Sequence, residues 1–245
     1  MLEKIEKNAP RNWAVLLIDN CSRDKTLNRA LSYLEKGEFS HPYKVFQNSW
    51  NLNLGGSHKI AIDFAIREKF EWIIVLHGDD QADIQDLFTS GKVQEMNLAN
   101  FECLLGSRFS RGSTLTGYSP IRRIGNKLLM RLYPKIEGRV IADMGSGLNC
   151  YSVQSLSSIN WSLIPDDLTF NNYLLLNLIK LKSRVTFFPI SWREEDQDSN
   201  ASPFLQSLKI LYGILLFRIG VMKKVGSATD VLPPPITIRE SKLRD

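Results

Sequence analysis

The stretch "WIIVLHGDDQAD", residues 72–83, decides the fold, because a run of apolar residues ends abruptly in a group of polar ones. The apolar part is short and rich in isoleucine and valine, which predicts a buried strand. In open parallel sheets, ligands bind beyond the carboxyl ends of the strands. The carboxylates of Asp79 and Asp80 therefore follow the strand at the place where a binding site is expected.

Similar apolar runs precede and follow this stretch. They read "WAVLLI" (13–18), "YKVFQ" (43–47) and "FECLLGS" (101–107). Helical patterns around residues 25–37 and 57–69 separate the first runs, so that strand and helix alternate about every 30 residues. This alternation predicts an α/β fold with a mostly parallel sheet and helices on both faces.

The second half of the chain mixes helical and strand patterns. Its predicted elements are helices near 121–133 and 170–182, strands near 147–151 and 184–190, and a long helix at about 202–224. At 245 residues, with 43% apolar and 23% charged content, the chain is long enough for one sizeable core. The expected units are a domain over 1–200, a basic amphipathic helical segment over 201–226, and a poorly ordered, proline-containing tail over 227–245.

Charge and cysteine content indicate which partners and which cellular setting to expect. The net charge of +5 and a pI near 9.1 favour anionic partners such as nucleotides, phosphorylated lipids or a membrane surface. Cys21, Cys103 and Cys150 are few and far apart, which indicates reduced thiols in a cytoplasmic setting. The sequence has no run of 18 uncharged apolar residues and begins with acidic residues, so neither a transmembrane helix nor a signal peptide is expected.

Polar residues follow each of the four predicted strands. Asp19 follows the first strand, Asn53 lies in the loop after the second, Asp79 follows the third, and Arg108 follows the fourth. Because the carboxyl ends of parallel strands meet at one edge of a sheet, these four side chains are expected along one rim.

These segments, in this order, resemble the inverting glycosyltransferases of family 2, which have the GT-A fold. The branch that they are most similar to is that of dolichol-phosphate mannose synthase and its bacterial polyprenyl-phosphate relatives. The resemblance covers residues from about 10 to 205. It rests on "IDNCSRDKT", "NLNLGGSHKIAIDFAI", "VLHGDDQAD", "LLGSRF", "ADMGSGLNCYS" and "FPISWREEDQDSN".

The resemblance implies transfer of a sugar from a UDP- or GDP-linked donor to a polyprenyl phosphate or related lipid-linked acceptor. It implies a divalent metal, Mg²⁺ or Mn²⁺, and a cytoplasmic protein that is peripheral on the inner face of the membrane. A second reading keeps the fold and makes the acceptor a saccharide hydroxyl. A third makes the chain an impaired, truncated relative that only binds a nucleotide or a partner. Binding to nucleic acid is a distant alternative, because no binding module is recognisable.

The resemblance also assigns residues to roles. The donor-binding set is Asp19, Asn53, Gly55, Asp79, Gln81, Arg108 and Arg123. The catalytic set is Asp79, Arg108, Asp143, Glu195 and Asp196. The last two acids are candidate general bases for a hydroxyl acceptor, whereas a lipid phosphate is already an anionic nucleophile. Asp143, Ser146 and Gly147 border the acceptor side, and Arg193 belongs to a loop over the donor.

The implied metal site departs from the family pattern at one position. His77 stands where the first aspartate of the family's Asp-x-Asp motif is expected, so the ligand pair becomes His77 and Asp79. Mg²⁺ prefers oxygen ligands, whereas Mn²⁺ tolerates nitrogen better.

The amino terminus departs from the family as well. Family members begin with a strand and a helix before the strand that carries Asp19, but here "LEKIEKNAP" resembles only the end of that helix. The absent strand lies in the middle of the sheet, where its loss leaves backbone groups unpaired. The chain then either begins upstream of Met1, which we favour, or is a compromised fragment.

Several candidates have an ordinary structural reading beside the functional one. Asp79 and Asp80 could cap the following helix, Asp19 could form a turn, and Asp24 could cap the helix after it. Ser57 could likewise start a helix after the glycine pair.

The arginine and histidine candidates also have both a functional and a structural reading. Arg108 is suited to a phosphate, because its guanidinium fork matches phosphate oxygens. Arg122 and Arg123 could bind phosphate or belong to a solvated helix face. His41 and His58 are expected to be structural or exposed.

The carboxyl-terminal helix has a distinctive composition. Residues 203–226 contain four basic residues and no acidic one, and most of the others are apolar. Such a helix could lie in a membrane interface, pack against the domain or form an oligomer contact.

Overall fold

The chain folds into helices and short strands that alternate along most of its length. The structure, a computed structural model, describes residues 1–93, 101–135, 138, 140–194, 203–221 and 234–241. The helices are α1 Leu2–Asn8, α2 Thr26–Glu35, α3 Asn53–Arg67, α4 Gln85–Thr89, α5 Pro120–Leu132, α6 Val153–Ser157, α7 Phe170–Lys180 and α8 Pro203–Arg218. The strands are β1 Val15–Asp19, β2 Tyr43–Gln47, β3 Trp72–Leu76, β4 Cys103–Ser107, β5 Thr114–Thr116, β6 Leu148–Ser152, β7 Val185–Pro189, β8 Ser191–Arg193 and β9 Ile236–Glu240. The predicted α/β class is confirmed.

The strands form three sheets. In the first, β1 is parallel to β2, and β9 pairs antiparallel with the other edge of β2. In the second, the order is β3-β6-β4-β7, with β6 antiparallel to both of its neighbours and β4 parallel to β7. A small third sheet pairs β5 with β8 in parallel.

A cavity separates the first sheet from the second. It has a volume of about 980 Å³ and is lined by residues of both β1 and β3. In the part of the chain that the structure describes, each of these strands pairs on one side only. All five residues of β3 are only half-buried, whereas every residue of β4 is buried. Within the described residues, β1 and β3 therefore border a gap between the two sheets.

The second sheet has a core on each face. Leu105 and Tyr151 contact the cluster that contains Phe170 and Leu174. Leu104, next in the chain to Leu105, contacts a different cluster on the opposite face. Successive side chains of a strand point to opposite faces, so an unbroken apolar run such as β4 requires cover on both.

The glycine pair begins α3 instead of preceding it. This helix starts at Asn53, four residues before the predicted start, and Gly55 lies in its first turn. A Cβ on Gly55 would stand 2.7 Å from both the Pro165 carbonyl oxygen and the Asp166 Cα. The Gly55 amide also donates to the Asp166 carbonyl oxygen at 2.6 Å. The close approach expected here is thus one between two segments of the protein.

The predicted disorder of the tail is wrong for part of it. Residues Ile236–Glu240 form β9, which pairs antiparallel with β2. The Tyr43 amide donates to the Ser241 hydroxyl oxygen at 2.7 Å, just beyond that pairing. The free edge of β2 offers backbone N–H and C=O groups, and β9 forms hydrogen bonds with them. Prolines such as those just before β9 have no N–H to donate to such a ladder.

The helix predicted at 202–224 is α8, which the structure places against the domain. Its buried residues Ile210 and Ile214 belong to the core cluster of Phe170. Gly213 lies close to Tyr173, since a Cβ at this position would be 3.0 Å from the ring. Among the described residues, no helix is both long enough and apolar enough to cross a bilayer.

We predict that Gly55→Ala lowers the free energy of unfolding by about 1–3 kcal/mol, because the new methyl group meets main-chain atoms that cannot turn aside. The matched control is Gly125→Ala on α5, where a Cβ has no neighbour within 4 Å. That change is expected to raise helix propensity and stability by up to about 1 kcal/mol. Urea denaturation measures both, and equal effects of the two substitutions would contradict the packing role of Gly55.

Candidate active site at the strand ends

Asp19 is buried at the carboxyl end of β1. Its side chain is 4% exposed. Oδ2 accepts hydrogen bonds from the Ser22 amide at 3.2 Å and from Gln47 Nε2 at 3.1 Å. Oδ1 is also buried, and it has no hydrogen-bond partner among the described residues. A buried carboxylate oxygen without a donor is suited to accept one from a ligand.

A network of amide side chains surrounds Asp19. Asn48 donates from Nδ2 to Asn20 Oδ1 at 2.9 Å and to the Ser57 hydroxyl oxygen at 3.0 Å. Asn20 in turn donates to Asn51 Oδ1 at 2.9 Å and to the Asn53 carbonyl oxygen at 3.1 Å. Sequence reasoning singled out only Asn53 and Ser57 from this network. The density of asparagines in "QNSWNLNL" was the signal for Asn48 and Asn51.

Asp24 does what its structural reading predicted. Its Oδ1 accepts a hydrogen bond from the Thr26 amide at 2.9 Å, at the start of α2. Hydrogen bonds from Thr26 lower the pKa of the Asp24 carboxyl, which is fully exposed. Asp24 therefore belongs to the helix end.

The end of β3 carries His77 and Asp79. The His77 amide continues the strand by donating to the Gly147 carbonyl oxygen at 2.8 Å. Asp79 is exposed toward the cavity, and its Oδ1 accepts from the Gln81 amide at 3.1 Å. Partial desolvation raises the pKa of Asp79, with the neighbouring charge of Asp80 acting in the same direction.

Asp80 has a role that the sequence did not predict. It was expected to face solvent or to cap a helix, but it accepts from Lys4 Nζ of α1 at 2.9 Å and from Arg193 Nη2 of β8 at 3.3 Å. Asp83 is the residue that accepts from the Gln85 amide, at 3.0 Å, at the start of α4. Asp80 thus holds α1 and β8 against the turn that presents Asp79.

His58 and His77 form a pair that sequence reasoning missed. Their ring centroids are 5.4 Å apart in an edge-to-face arrangement, and both residues line the cavity. His58 Nδ1 lies 2.8 Å from the Leu54 carbonyl oxygen, which can only accept, so the proton is on Nδ1. Within the described residues, Nε2 of each ring is buried without a hydrogen-bond partner.

The two rings are kept neutral by their surroundings. Burial lowers the pKa of His58 to about 3, and the neighbouring His77 contributes. Burial likewise lowers the pKa of His77 to about 4, and the charge of Arg108 adds to the effect. The Nε2 atom of His58 is therefore a lone-pair acceptor at neutral pH.

Arg108 and Asp143 form a buried ion pair. Arg108 donates from its amide and Nε to Asp143 Oδ2 at 2.8 and 2.9 Å, and from Nη2 to Oδ1 at 2.7 Å. Nη2 also donates to the Gly145 carbonyl oxygen at 2.8 Å. The Asp143 side chain is 1% exposed. The guanidinium fork that was expected to bind phosphate is thus committed to a carboxylate of the protein.

The pair remains fully charged despite its burial. Desolvation opposes ionisation of Asp143, but the Arg108 charge and four hydrogen bonds outweigh it and lower the Asp143 pKa. Desolvation acts against Arg108 as well, and Asp143 overcomes it and raises the Arg108 pKa. Aromatic rings surround the guanidinium, with centroids 5.2–5.9 Å from Cζ: Phe109, Tyr118 and Trp192.

The structure describes two of the four remaining candidates, Arg122 and Arg123. Arg122 pairs with Glu194 and lies 5.0 Å from the Tyr118 ring centroid. Arg123 is exposed on the same helix, α5. The predicted general bases Glu195 and Asp196 lie outside the described residues.

The acceptor-side loop reaches the histidine pair. The Ser146 hydroxyl donates to the Leu148 carbonyl oxygen at 3.2 Å, inside the loop. A Cβ on Gly147 would stand 3.2 Å from His77 Nδ1. Gly147 therefore lets the loop approach the imidazole closely.

Three of the predicted site residues line one cavity: Asn53, His77 and Asp79. Its polar end is lined by Asn20, Asn53, Ser57, His77 and Asp79. Asp19 precedes Asn20 at this end, and Arg108 is near enough for its charge to act on His77. Gly55 packs against Asp166, and His41 lies at 3.2 Å from the Trp13 carbonyl oxygen, a structural position as expected.

The donor set for a divalent metal is small. Among the described residues, no cluster of three or more His, Cys, Asp or Glu side chains could hold an ion. Asp79 faces the cavity, and the orphaned Nε2 of His77 lies two residues before it. Magnesium-type ions on nucleotides often use one or two protein ligands and complete their shell with phosphate oxygens and water. The residues fit a site of that kind, not one built from protein alone.

Comparison with known sequences identifies relatives. A family model described as "Glycosyl transferase family 2" matches residues 1–158. Uncharacterized protein MJ1222 of Methanocaldococcus jannaschii is 24% identical over 219 residues, which make up 89% of this chain and 85% of that protein.

Solved structures share the fold. The crystal structure of S. aureus TarS 1-349 in complex with UDP has a TM-score of 0.57 and 15% identity, over 88% of this chain and 60% of that one. The crystal structure of GalNAc-T7 with UDP, GalNAc and Mn²⁺ has a TM-score of 0.56 and 14% identity, over 88% of this chain and 45% of that one. This chain thus spans less than two thirds of either solved chain.

We predict that Asp143→Asn lowers the free energy of unfolding by about 3–5 kcal/mol, because it leaves the buried Arg108 charge without its counterion. The matched control is Asp167→Asn, which weakens an exposed pair with Lys209 and is expected to cost at most about 1 kcal/mol. Urea denaturation measures both variants. If Asp143→Asn lowers the free energy of unfolding no more than the control does, the Arg108–Asp143 pair is as well solvated as a surface pair, which would contradict the prediction.

We also predict that acid destabilises the protein through the histidine pair. The folded state keeps His58 neutral down to about pH 3, whereas the unfolded chain protonates it below its ordinary pKa of 6.5. The free energy of unfolding therefore decreases as the pH falls below 6.5, by roughly 1.4 kcal/mol per pH unit for this histidine. Denaturation of the wild type and of His58→Phe at several pH values tests this, since the variant should lose that part of the slope. An unchanged slope would rule out His58 as its source.

Proposed function

The chain belongs to glycosyl transferase family 2, and from this membership and the site we propose the reaction that it carries out. It is a glycosyltransferase that uses a nucleotide sugar. We propose that the sugar passes from a UDP- or GDP-linked donor to a polyprenyl phosphate, with inversion at the anomeric carbon. The observation that carries the proposal is that the polar ends of β1 and β3 face one cavity.

The end of β1 is the proposed position of the nucleoside. The orphaned Oδ1 of Asp19 would accept a hydrogen bond from a ring N–H of the base or from a ribose hydroxyl. The amide network of Asn20 and Asn48 holds the loop around Asn53, so the polar groups are positioned before the donor binds. Gln81 and Arg123 remain proposed donor contacts.

The end of β3 is the proposed position of the diphosphate. Asp79 and His77 would hold a divalent ion, with Mn²⁺ better suited than Mg²⁺ to the nitrogen ligand. When bound, such an ion would neutralise charge on the leaving diphosphate. Arg108 would act from within its pair with Asp143, as a positive charge close to this end of the site.

The chemistry is a direct displacement. An acceptor oxygen forms a bond with the anomeric carbon while the bond from that carbon to the diphosphate breaks, and the nucleoside diphosphate leaves. A lipid phosphate attacks as an anion and needs no strong base. The buried Asp143 cannot serve as a base in any case, because Arg108 keeps its pKa low and occupies both of its oxygens.

A lipid acceptor also requires contact with a membrane surface. We propose peripheral association through the carboxyl-terminal segment 203–226, of which the structure describes residues 203–221. The absence of acidic residues from that segment favours a negatively charged surface.

We predict that Asp79→Asn lowers metal-dependent sugar transfer at least about 100-fold, because the diphosphate loses its charge-stabilising ion. The assay follows label from UDP- and GDP-sugars into a lipid extract in the presence of Mn²⁺. Asp83→Asn is the matched control, since Asp83 belongs to the start of α4 and should leave transfer nearly intact. Full activity of Asp79→Asn would remove this carboxylate from the mechanism.

Calorimetric titration separates binding from turnover. The wild type is expected to bind UDP or GDP more tightly with Mn²⁺ than without it, and Asp79→Asn is expected to lose that difference. No heat with either nucleotide, with or without the ion, would refute donor binding and leave the chain a structural role only.

A further inference from the structure

Helix α5 presents an apolar stripe to solvent. Four large side chains on it are between 42% and 82% exposed: Ile121, Ile124, Leu128 and Leu132. They recur at intervals of three and four residues, so they share one face of the helix. The side chain of Met130 is buried on the opposite face, in the core cluster of Phe170. Helix α5 therefore has two apolar faces: one packs against the domain, and the other is exposed to solvent.

Helix α8 repeats this arrangement. Four large side chains on it are 46–59% exposed, and Ile219 follows directly after the helix with 59%: Leu205, Leu208, Tyr212, Leu215 and Ile219. Their spacing again places them on one face. Ile210 and Ile214 are buried on the other face of α8. This helix thus packs against the domain and still exposes a second apolar face.

The two stripes belong to one region of the surface. Arg218 at the end of α8 donates from Nη2 to the Leu132 carbonyl oxygen at the end of α5, at 2.8 Å. Nine of the sixteen large hydrophobic side chains that are exposed among the described residues lie on these two helices or directly after α8. Such a concentration, unlike scattered single residues, marks an interaction surface.

Basic residues accompany the stripe on α5. Arg122, Arg123, Lys127 and Arg131 are all exposed, and neither helix contains an acidic residue. Two copies of this chain meeting through α5 would bring these like charges together. An anionic bilayer, by contrast, offers apolar chains to the stripe and negative headgroups to the arginines and lysine.

The surface also begins next to the site. Arg122, in the first turn of α5, pairs with Glu194 and lies over the Tyr118 ring. Tyr118 is one of the rings around Arg108. A bilayer in contact with α5 would therefore lie beside the residues that border the proposed reaction centre.

We infer that α5 and α8 together form a docking face for an anionic lipid bilayer, on which both helices lie flat with their apolar stripes in the headgroup region. This inference rests on the proposed function, because the docking face would bring the site to a lipid-borne acceptor. It extends that function by adding α5 to the carboxyl-terminal segment and by assigning Lys127 and Arg131 of α5 to lipid headgroups.

The test is co-sedimentation of the full chain with vesicles of phosphatidylcholine, alone and mixed with phosphatidylglycerol. The wild type should bind the mixed vesicles and bind the neutral ones far more weakly. Ile124→Glu combined with Leu128→Glu should weaken binding at least about tenfold, because two inserting side chains become charged. Lys127→Gln combined with Arg131→Gln should weaken it about 30-fold at low salt.

Leu181→Glu is the matched control, because Leu181 is equally apolar and exposed but lies at the end of α7. It should bind vesicles like the wild type. Equal weakening by this control, or no binding of the wild type to anionic vesicles, would overturn the inference. So would a dimer in analytical ultracentrifugation that the α5 variant dissociates while lipid binding is absent.

The same samples are titrated with UDP and GDP in the presence of Mn²⁺. Lipid binding without nucleotide binding would refute the proposed function and leave the docking face in place. Nucleotide binding without lipid binding would refute only the docking face.

Discussion

The buried ion pair between Arg108 and Asp143 is the interaction on which the geometry of the site depends. It joins the end of β4 to the loop before β6, and the Gly145 carbonyl oxygen is held by the same guanidinium. Two residues further, Gly147 accepts from the His77 amide and so positions the end of β3. Burying two charges carries a desolvation penalty, and the attraction between them offsets only part of it. The pair therefore adds little net stability to the fold. Its value is in fixing a loop of glycines that would otherwise adopt many conformations.

The two ends of the polar cavity differ in how they are prepared. Around Asp19, neutral amides donate hydrogen bonds to one another and leave two oxygens without a partner in the described part of the chain, Oδ1 of Asp19 and Oδ1 of Asn48. Around Asp79, the protein offers a carboxylate of raised pKa and neutral imidazoles whose Nε2 atoms have no partner in the described part of the chain. The first end is suited to a neutral, hydrogen-bonding ligand group such as a base. The second is suited to a cation, because it presents a carboxylate and imidazole lone pairs.

Local sequence signals were sufficient for the longer helices, for six of the strands and for the strand ends. An apolar run that stops at "HGDD" needs no distant information, and neither does an aspartate two residues before a helix, as at Asp24. The antiparallel placement of β6 between β3 and β4 could not be predicted in this way, because strand pairing joins segments that are far apart in the chain. The same holds for Arg108 with Asp143. Both were predicted as separate ligands for the substrate, and only the fold shows that they satisfy each other.

The contact between His58 and His77 could not be predicted from the sequence either, because it joins distant segments of the chain. His58 has no motif around it, and its proximity to His77 follows from how α3 packs near the end of β3. The tail was misjudged because three prolines dominate its composition, whereas β9 depends on the unoccupied edge of β2. In each case a contact with a distant segment decided the outcome.

The gap between β1 and β3 has a consequence for the behaviour of the chain in concentrated solution. Val15, Leu16, Ile73 and Ile74 carry no charge that would discourage a foreign strand, and both borders of the gap present main-chain groups in a regular ladder. Natural sheets blunt such borders with lysines, prolines or bulges. We therefore expect the described borders of the cavity to accept an extended segment of another chain by β-augmentation, in competition with the proposed ligand.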